Sequence, residues 1–491
     1  MAQGLLLDVA LRDGMEKLSL NDKEGALQTF HEAVISKLKG SITTLDDIMK
    51  QHVKLCVDLE NFKLLREVLP IYRNAVQINS PQSLKDLLEV LQDCTSGKVA
   101  VGSPDTLAAL DDLDGEGDLT MVMTQDTSRS EASALKFLWE TYKLCIDLLK
   151  TNGKLVDTYR NMATKALTFC EEKKRKVECI RLCENLRIHL INVIKNHRNQ
   201  TSTNFNYVIN LDDEETVSAL MKLKRKQIET CISLELYQEA YKAIEDAYQL
   251  SLLQETLAPS FKSWYYHMAS TTLLKGKHWR CHSYVYFLYL SVNMKANKKL
   301  AAEEKTEMCT QFLVSAMAIP VNDPPEVDLT AKLETLLWDS HIPERSHLLE
   351  KLAVSVLPFV TPWAKDLYTL MHEENLPKDL VAKVKPLLEH LRCPELESYV
   401  PNIEQLVISK VVDRLVKSYT SITFKSFTKI VDFIEFSQIE THMLELSKKS
   451  GLHILIDKAK QAFFFKEHEC SLIHRLSAAH KLLNELSLIH I

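Results

Sequence analysis

The sequence predicts an all-α chain of helical repeats that closes on a winged helix carrying a small β-hairpin. Three observations predict it. Gly and Pro number only 11 and 14 in 491 residues, so little interrupts long helices. Apolar residues recur at helical period through most of the chain, in paired runs with short turns, the rhythm of stacked helical units. Between 403 and 467 the order changes to helix, short strand, two helices and hairpin, the order of a winged helix.

The first helix places Leu7, Leu11, Met15 and Leu18 on one face. Asn21 with Glu24 is expected to cap a second, carrying Leu27, Phe30, Val34 and Leu38, and its Ala26-x-x-x-Phe30 spacing resembles tetratricopeptide-like pairs. Helical runs continue through SPQSLKDLLEVLQDC, so 1–94 reads as N-terminal helical repeats. The period breaks after Cys94, and 95–133 reads as an acidic disordered loop. Nine carboxylates against Lys98 and Arg129 leave residues 92–133 at −7, while the whole chain is −6, so the folded body is nearly neutral. Within that loop Asp112, Asp114, Glu116, Gly117 and Leu119 match positions of an EF-hand. Met123 stands where the bidentate carboxylate must be, and calcium is not expected.

Helical order resumes at ALKFLWETYKLCIDLLK, where Leu135, Leu138, Tyr142, Cys145 and Leu149 share a face, and 134–320 reads as a helical-repeat solenoid. From 321 to 402 shorter helices punctuated by prolines form a bundle. In the winged helix, 403–467, Ile408, Val411, Val412, Leu415 and Tyr419 form one stripe, and Ile422 and Phe424 sit at strand spacing. Ser437 with Glu440 forms a capping box for the next helix. The charges from 437 to 450 are Glu440, Glu445, Lys448 and Lys449 and cancel, which suits a DNA-reading helix poorly. The hairpin is apolar on both faces. Its Leu455, Phe463, Phe464 and Phe465, with Ile422 and Phe424, are the expected protein-docking residues beside an open strand edge. A last amphipathic helix, 468–485, carries Leu472, Leu476, Ala479 and Leu483.

No phosphate-loop, dinucleotide, nucleophile-elbow or zinc-protease string occurs, so no catalytic site and no cofactor are expected. His278, Cys281 and His282 cluster on one helix without a fourth ligand, and Cys179 and Cys183 read as a buried helical pair, so no metal is expected either. Eleven scattered Cys, several on apolar faces, suit a reducing compartment. The first residues are too acidic for a signal peptide and no run is long and apolar enough to span a membrane, so the cytoplasm is the expected location, without membrane contact.

The run from SALKFLWETYKLCIDLLK to CENLRIHL, then NHRNQTSTNFNYVINLDD, LELYQEAYKAIEDAYQL, AMAIPV and ESYVPNIEQL, resembles the N-terminal half of the a-subunit family of eukaryotic translation initiation factor 3. That resemblance implies a right-handed, TPR-like helical-repeat solenoid ending in a PCI domain, which is a helical bundle (321–402) plus the winged helix. It also implies a scaffold in the initiation factor 3 complex. Its PCI domain would pair with that of the c subunit, and the assembly would sit on the small ribosomal subunit, supporting 43S pre-initiation complex formation and mRNA recruitment. The basic clusters Lys173, Lys174, Arg175, Lys176 and Lys222, Lys224, Arg225, Lys226 have the charge to meet phosphates of mRNA or rRNA. They lack interleaved aromatics, and a solvated helix face is the plainer reading. The alternative is a PCI scaffold subunit of the proteasome lid or COP9 signalosome. The family continues into a long charged tail that binds several partners, the b subunit among them. Here the last six residues, 486–491, read as translated transposase adapter (CTGTCTCTTATACACATC) and are not expected to belong to the fold.

Overall fold

The computed structural model describes residues 4–36, 41–77, 79–99, 126–198, 209–253, 258–296, 301–320, 327–338, 341–373, 377–432, 436–449 and 453–466. The calcium-like stretch, the 468–485 helix and the tail 486–491 lie outside them. The chain forms two compact units, Met1–Leu257 and Ala258–Ile491.

In the first unit the helices are α1 (Gly4–Ser19), α2 (Lys23–Ile35), α3 (Ile42–Asp58), α4 (Phe62–Val76), α5 (Pro81–Val99), α6 (Asp126–Leu149), α7 (Val156–Glu172), α8 (Lys176–Arg198), α9 (Glu214–Ser233) and α10 (Tyr237–Ser251). Four hairpins, α1/α2, α3/α4, α7/α8 and α9/α10, are closed by the same turn. One residue adopts the left-handed region: Asn21 (φ 63°), Glu60 (55°), Lys174 (52°) and Glu235 (62°). The next N–H then bonds back five residues, Asp22 to the Lys17 carbonyl, Asn61 to Cys56, Arg175 to Cys170 and Leu236 to Cys231. Such a turn satisfies carbonyls that the helix end leaves open. Its left-handed position favours Gly, yet here it holds Asn, Glu or Lys, at a cost of roughly 1–2 kcal/mol for a side chain with a Cβ.

This turn corrects the first cap expected from sequence. Asn21 is spent as the left-handed residue, so Asp22 caps α2, its Oδ1 accepting the Gly25 N–H at 2.9 Å. On α1, Met15 is exposed, and Gly14 faces inward instead, where a Cβ would run into the Phe30 ring. Helix also enters both ends of the stretch expected to be a loop. α5 runs to Val99 because Thr95 is buried on its inner face and Lys98 Nζ reaches the Val57 and Asp58 carbonyls, at 2.5 and 3.1 Å, at the end of α3.

The second unit comprises α11 (Pro259–Lys275), α12 (Trp279–Ala296), α13 (Ala302–Met317), α14 (Val327–Leu336), α15 (Arg345–His347), α16 (Ala353–Val356), α17 (Pro362–His372), α18 (Pro377–His390) and α19 (Val400–Ser418). A wide helical turn, Leu348–Leu352, joins α15 to α16. After α19 come β1 (Ser421–Thr423), α20 (Phe424–Ile430), α21 (Phe436–Lys449), β2 (His453–Asp457) and β3 (Ala462–Lys466). The α11/α12 hairpin repeats the left-handed turn at Lys277 (φ 63°), with His278 bonded to the Leu273 carbonyl.

A long apolar core spans much of this unit, beside a smaller cluster around Tyr286, Leu290 and Phe312. The long core runs from Leu313, Val314 and Met317 of α13 through Leu367, Val384 and Tyr399 to Ile408, Val411, Phe427, Ile439 and Phe463. It therefore crosses the division expected at 320/321, because α13 buries its stripe against the proline-punctuated helices that follow. A buried polar tie reinforces the seam. His282 Nδ1 lies 2.8 Å from the Ser270 carbonyl, so it donates there, and Nε2 accepts from the Tyr399 hydroxyl at 2.7 Å. Burial, chiefly, lowers the His282 pKa from 6.5 to about 4, which keeps the ring neutral. Tyr419, expected on the α19 stripe, is exposed, because the helix ends at Ser418 and the backbone there turns extended.

Relief of the left-handed backbone is measurable at the exposed Lys277. Lys277→Gly is expected to raise the unfolding free energy of this unit by about 1 kcal/mol and Lys277→Val to lower it by more than that. Urea titration of the two variants checks the sign.

Candidate docking face on the winged helix

The sheet order is β1-β3-β2, all antiparallel, so β3 is central and β1 and β2 flank it. Among the described residues no further strand pairs with either flank. Three consecutive phenylalanines in β3 cannot share an environment, since successive side chains in a strand point to opposite faces. Phe463 and Phe465 are buried and Phe464 turns outward, half-buried. Phe463 is the centre of the aromatic cluster: its ring centroid is 4.7 Å from Phe424 and 5.4 Å from Phe427, and Phe424 is 5.0 Å from Phe436.

This divides the six residues expected at the docking face. Ile422, Phe463 and Phe465 belong to the core. Phe424 is not in a strand. It opens α20, whose N-cap is Thr423, and it packs against the core. Leu455 and Phe464 alone stand on the outer face, directly paired across β2 and β3 in the register, with Leu455 54% exposed. Lys460 Nζ sits 5.4 Å from the Phe464 ring.

The free edge was less visible in the sequence. Phe465 N–H bonds to the Thr420 carbonyl, so alternate residues of β3 face β1, and Phe464 faces β2 through its register partner Leu455. By the same alternation the backbone groups of Ile454 and Ile456 aim away from β3, along the open edge of β2, while their side chains pack on the core. The turn that presents this edge is built locally. Asp457 Oδ1 accepts the N–H groups of Ala459 and Lys460, both at 3.0 Å, and Lys458 Nζ reaches Glu440 of α21 at 2.7 Å. That pairing also replaces the expected Ser437–Glu440 capping box. The helix starts one residue earlier, at Phe436, and Glu440 is engaged with the wing.

The basic clusters lie in the first unit and are largely spent on its own acids. Lys224 is 2% exposed, its Nζ 2.8 Å from Asp246 and 3.0 Å from Gln227 Oε1, with Arg187 3.7 Å from the other Asp246 oxygen. It points inward because α9 buries Leu220, Leu223 and Gln227 on the same broad face, which removes it from any surface meeting RNA. Lys226 pairs with Glu171 at 2.6 Å, Arg225 with Glu229 at 2.9 Å, Lys176 with Glu235 at 3.1 Å, and Arg175 Nε with Glu178 at 3.1 Å. Lys173 caps the end of α7 and Lys174 is the left-handed turn residue, while Lys174 and Lys222 are exposed.

Of the thiol and imidazole groups, His282 is committed to Ser270 and Tyr399, as described. Cys179 and Cys183 are joined by Cys231, which lies far from them in sequence. The three Sγ atoms sit within 4.8 Å of one another and all three residues are buried. No helix among the described residues is long and apolar enough to cross a membrane.

Paired helices with a repeated turn, leading to a bundle and a winged helix whose sheet keeps an open edge, define a TPR-like helical-repeat protein of the PCI class. The chain belongs to the family described as "eIF3a, PCI domain, TPR-like region", whose model matches residues 8–379. It is 29% identical over 490 residues to the A subunit of eukaryotic translation initiation factor 3 of Mus musculus, covering 93% of this chain and 36% of that protein. It is 26% identical to the same protein of Mycosarcoma maydis (94% and 49%) and 27% to that of Arabidopsis thaliana (93% and 51%). The chain thus spans about a third of the length of the mouse relative.

The two faces of α9 should separate cleanly on mutation. Lys224→Ala leaves buried Asp246 with only the longer Arg187 contact and is expected to cost roughly 3 kcal/mol, against less than about 0.5 kcal/mol for exposed Lys222→Ala. Chemical denaturation followed by circular dichroism measures both.

Proposed function

We propose that the chain acts as a scaffold subunit of the eukaryotic translation initiation factor 3 complex, without an active site of its own. In this role it supports 43S pre-initiation complex assembly and mRNA recruitment on the small ribosomal subunit in the cytoplasm. The observation that carries this reading is the family match over residues 8–379. The curated relatives are initiation factor subunits, which favours this assembly over the proteasome lid or the COP9 signalosome.

Within the complex, the winged helix pairs with the PCI domain of the c subunit. Support comes from the geometry of its sheet: a β2 edge at Ile454 and Ile456 with no strand partner among the described residues, flanked by the outward Leu455 and Phe464. A strand edge supplies directional backbone hydrogen bonds, and the adjacent apolar pair supplies area whose burial favours association. The buried Ile422, Phe463 and Phe465, with Phe424 packed half-buried against them, act indirectly, by holding the edge in place. Contact with mRNA or rRNA is weaker in this account, since most of the two basic clusters is engaged with acids. Lys174 and Lys222 are the residues left to test on the ribosome.

The double variant Leu455→Asp/Phe464→Glu is expected to lower affinity for the c subunit at least tenfold in a pull-down titration, with the helical circular dichroism spectrum unchanged. Phe463→Ala should lower affinity too, but with a loss of stability of about 3–5 kcal/mol from the emptied core. Full affinity in the folded double variant contradicts the assignment of this face.

A further inference from the structure

The three-thiol cluster has no role in the docking account. Cys179 and Cys183 lie one turn apart on α8, their sulfurs 4.0 Å apart, and Cys231 in the last turn of α9 brings its sulfur to 3.6 Å from that of Cys183. A metal–sulfur bond of about 2.3 Å sets thiolates about 3.8 Å apart in tetrahedral and about 4.0 Å apart in trigonal coordination. Two of the three sulfur separations therefore already lie near those of a metal–thiolate site, and the third, Cys179 to Cys231, is within 4.8 Å. Its placement is also specific, because α8 closes one helical hairpin and α9 opens the next.

We propose that Cys179, Cys183 and Cys231 form a buried three-coordinate thiolate site for a soft d10 cation, Cu(I), which staples consecutive helical hairpins together. Two observations select the ion. Among the described residues no fourth Cys, His, Asp or Glu ligand is grouped with the three, whereas structural Zn²⁺ sites are almost always four-coordinate. Thiolate is the soft ligand that selects Cu(I). On loading, three S–H protons leave to solvent, three Cu–S bonds form, and the copper enters already as Cu(I), so no electron is transferred. The site is enclosed, so the ion is taken up during folding or local opening.

The test is refolding of the full chain without oxygen in the presence of one equivalent of Cu(I), supplied as its acetonitrile complex, followed by desalting against a Cu(I) chelator. The site predicts close to one copper per chain, three sulfur neighbours by X-ray absorption, and a raised Tm of the wild type, since a ligand that binds only the folded state stabilises it. Cys183→Ser and Cys231→Ser should each reduce retained copper at least tenfold, and Cys309→Ser, in the second unit, should not. Less than a tenth of an equivalent retained with an unchanged Tm overturns the proposal. So does undiminished copper in both serine variants, or retention of Zn²⁺ in place of Cu(I) when both are offered. The Tm shift is read on the wild type, so it does not depend on the variants folding.

Discussion

The two-residue alternation of β3 is the constraint on which the docking face depends. Phe463 enters the ring formed by Phe424, Phe427 and Phe436, and once it does, its neighbour Phe464 has to face outward. A slip of one residue would exchange the faces, exposing two phenylalanines and burying one. The core thereby sets the register, and the register sets which backbone groups of β2 have no strand partner among the described residues. The same core reaches back through α19 to α13, so the edge is presented by a unit whose packing is continuous rather than by a hairpin on a loop.

The helical units obey a different economy. Five helical hairpins end in the same hydrogen-bonded turn, and the left-handed backbone it requires is imposed on Asn, Glu or Lys. Residues at these turns carry charge into the seams between helices, where Lys176 meets Glu235 and Glu60 meets Lys98. A linear reading of Lys173 to Lys176 as a basic patch misses this: Arg175 meets Glu178 on its own helix, and the partner of Lys176, Glu235, lies a hairpin away. Surface pairs of this kind add little stability each. Their effect is to use up charge that would otherwise be open to a polyanion.

Much of the architecture was legible in the sequence. Helical period, sparse glycine and the helix–strand–helix–helix–hairpin order gave the class, and the charge balance of the 437–450 helix argued against DNA. The docking face was legible only in part. Apolar character marked six residues, but it cannot say which side of a strand is covered: three of the six are buried, and a fourth, Phe424, packs half-buried against the core. Lys224 misled for the related reason that charge in a sequence carries no burial: Asp246 and Arg187, which make its burial tolerable, sit on α10 and α8. Cys231 went unnoticed beside Cys179 and Cys183 because the approach of α9 to α8 is a tertiary fact. The turns were hidden because the expected signal, glycine, is absent from the left-handed positions.

Hydrogen–deuterium exchange of the chain, alone and with the c subunit, tests the docking claim most directly because it reads the backbone edge itself. The account predicts that the Ile454 and Ile456 amides exchange fast in the free chain and slow at least tenfold in the complex, while the Phe464 amide, already within the sheet, changes little. Protection confined to the first unit, with the β2 edge exchanging as fast as before, would contradict it.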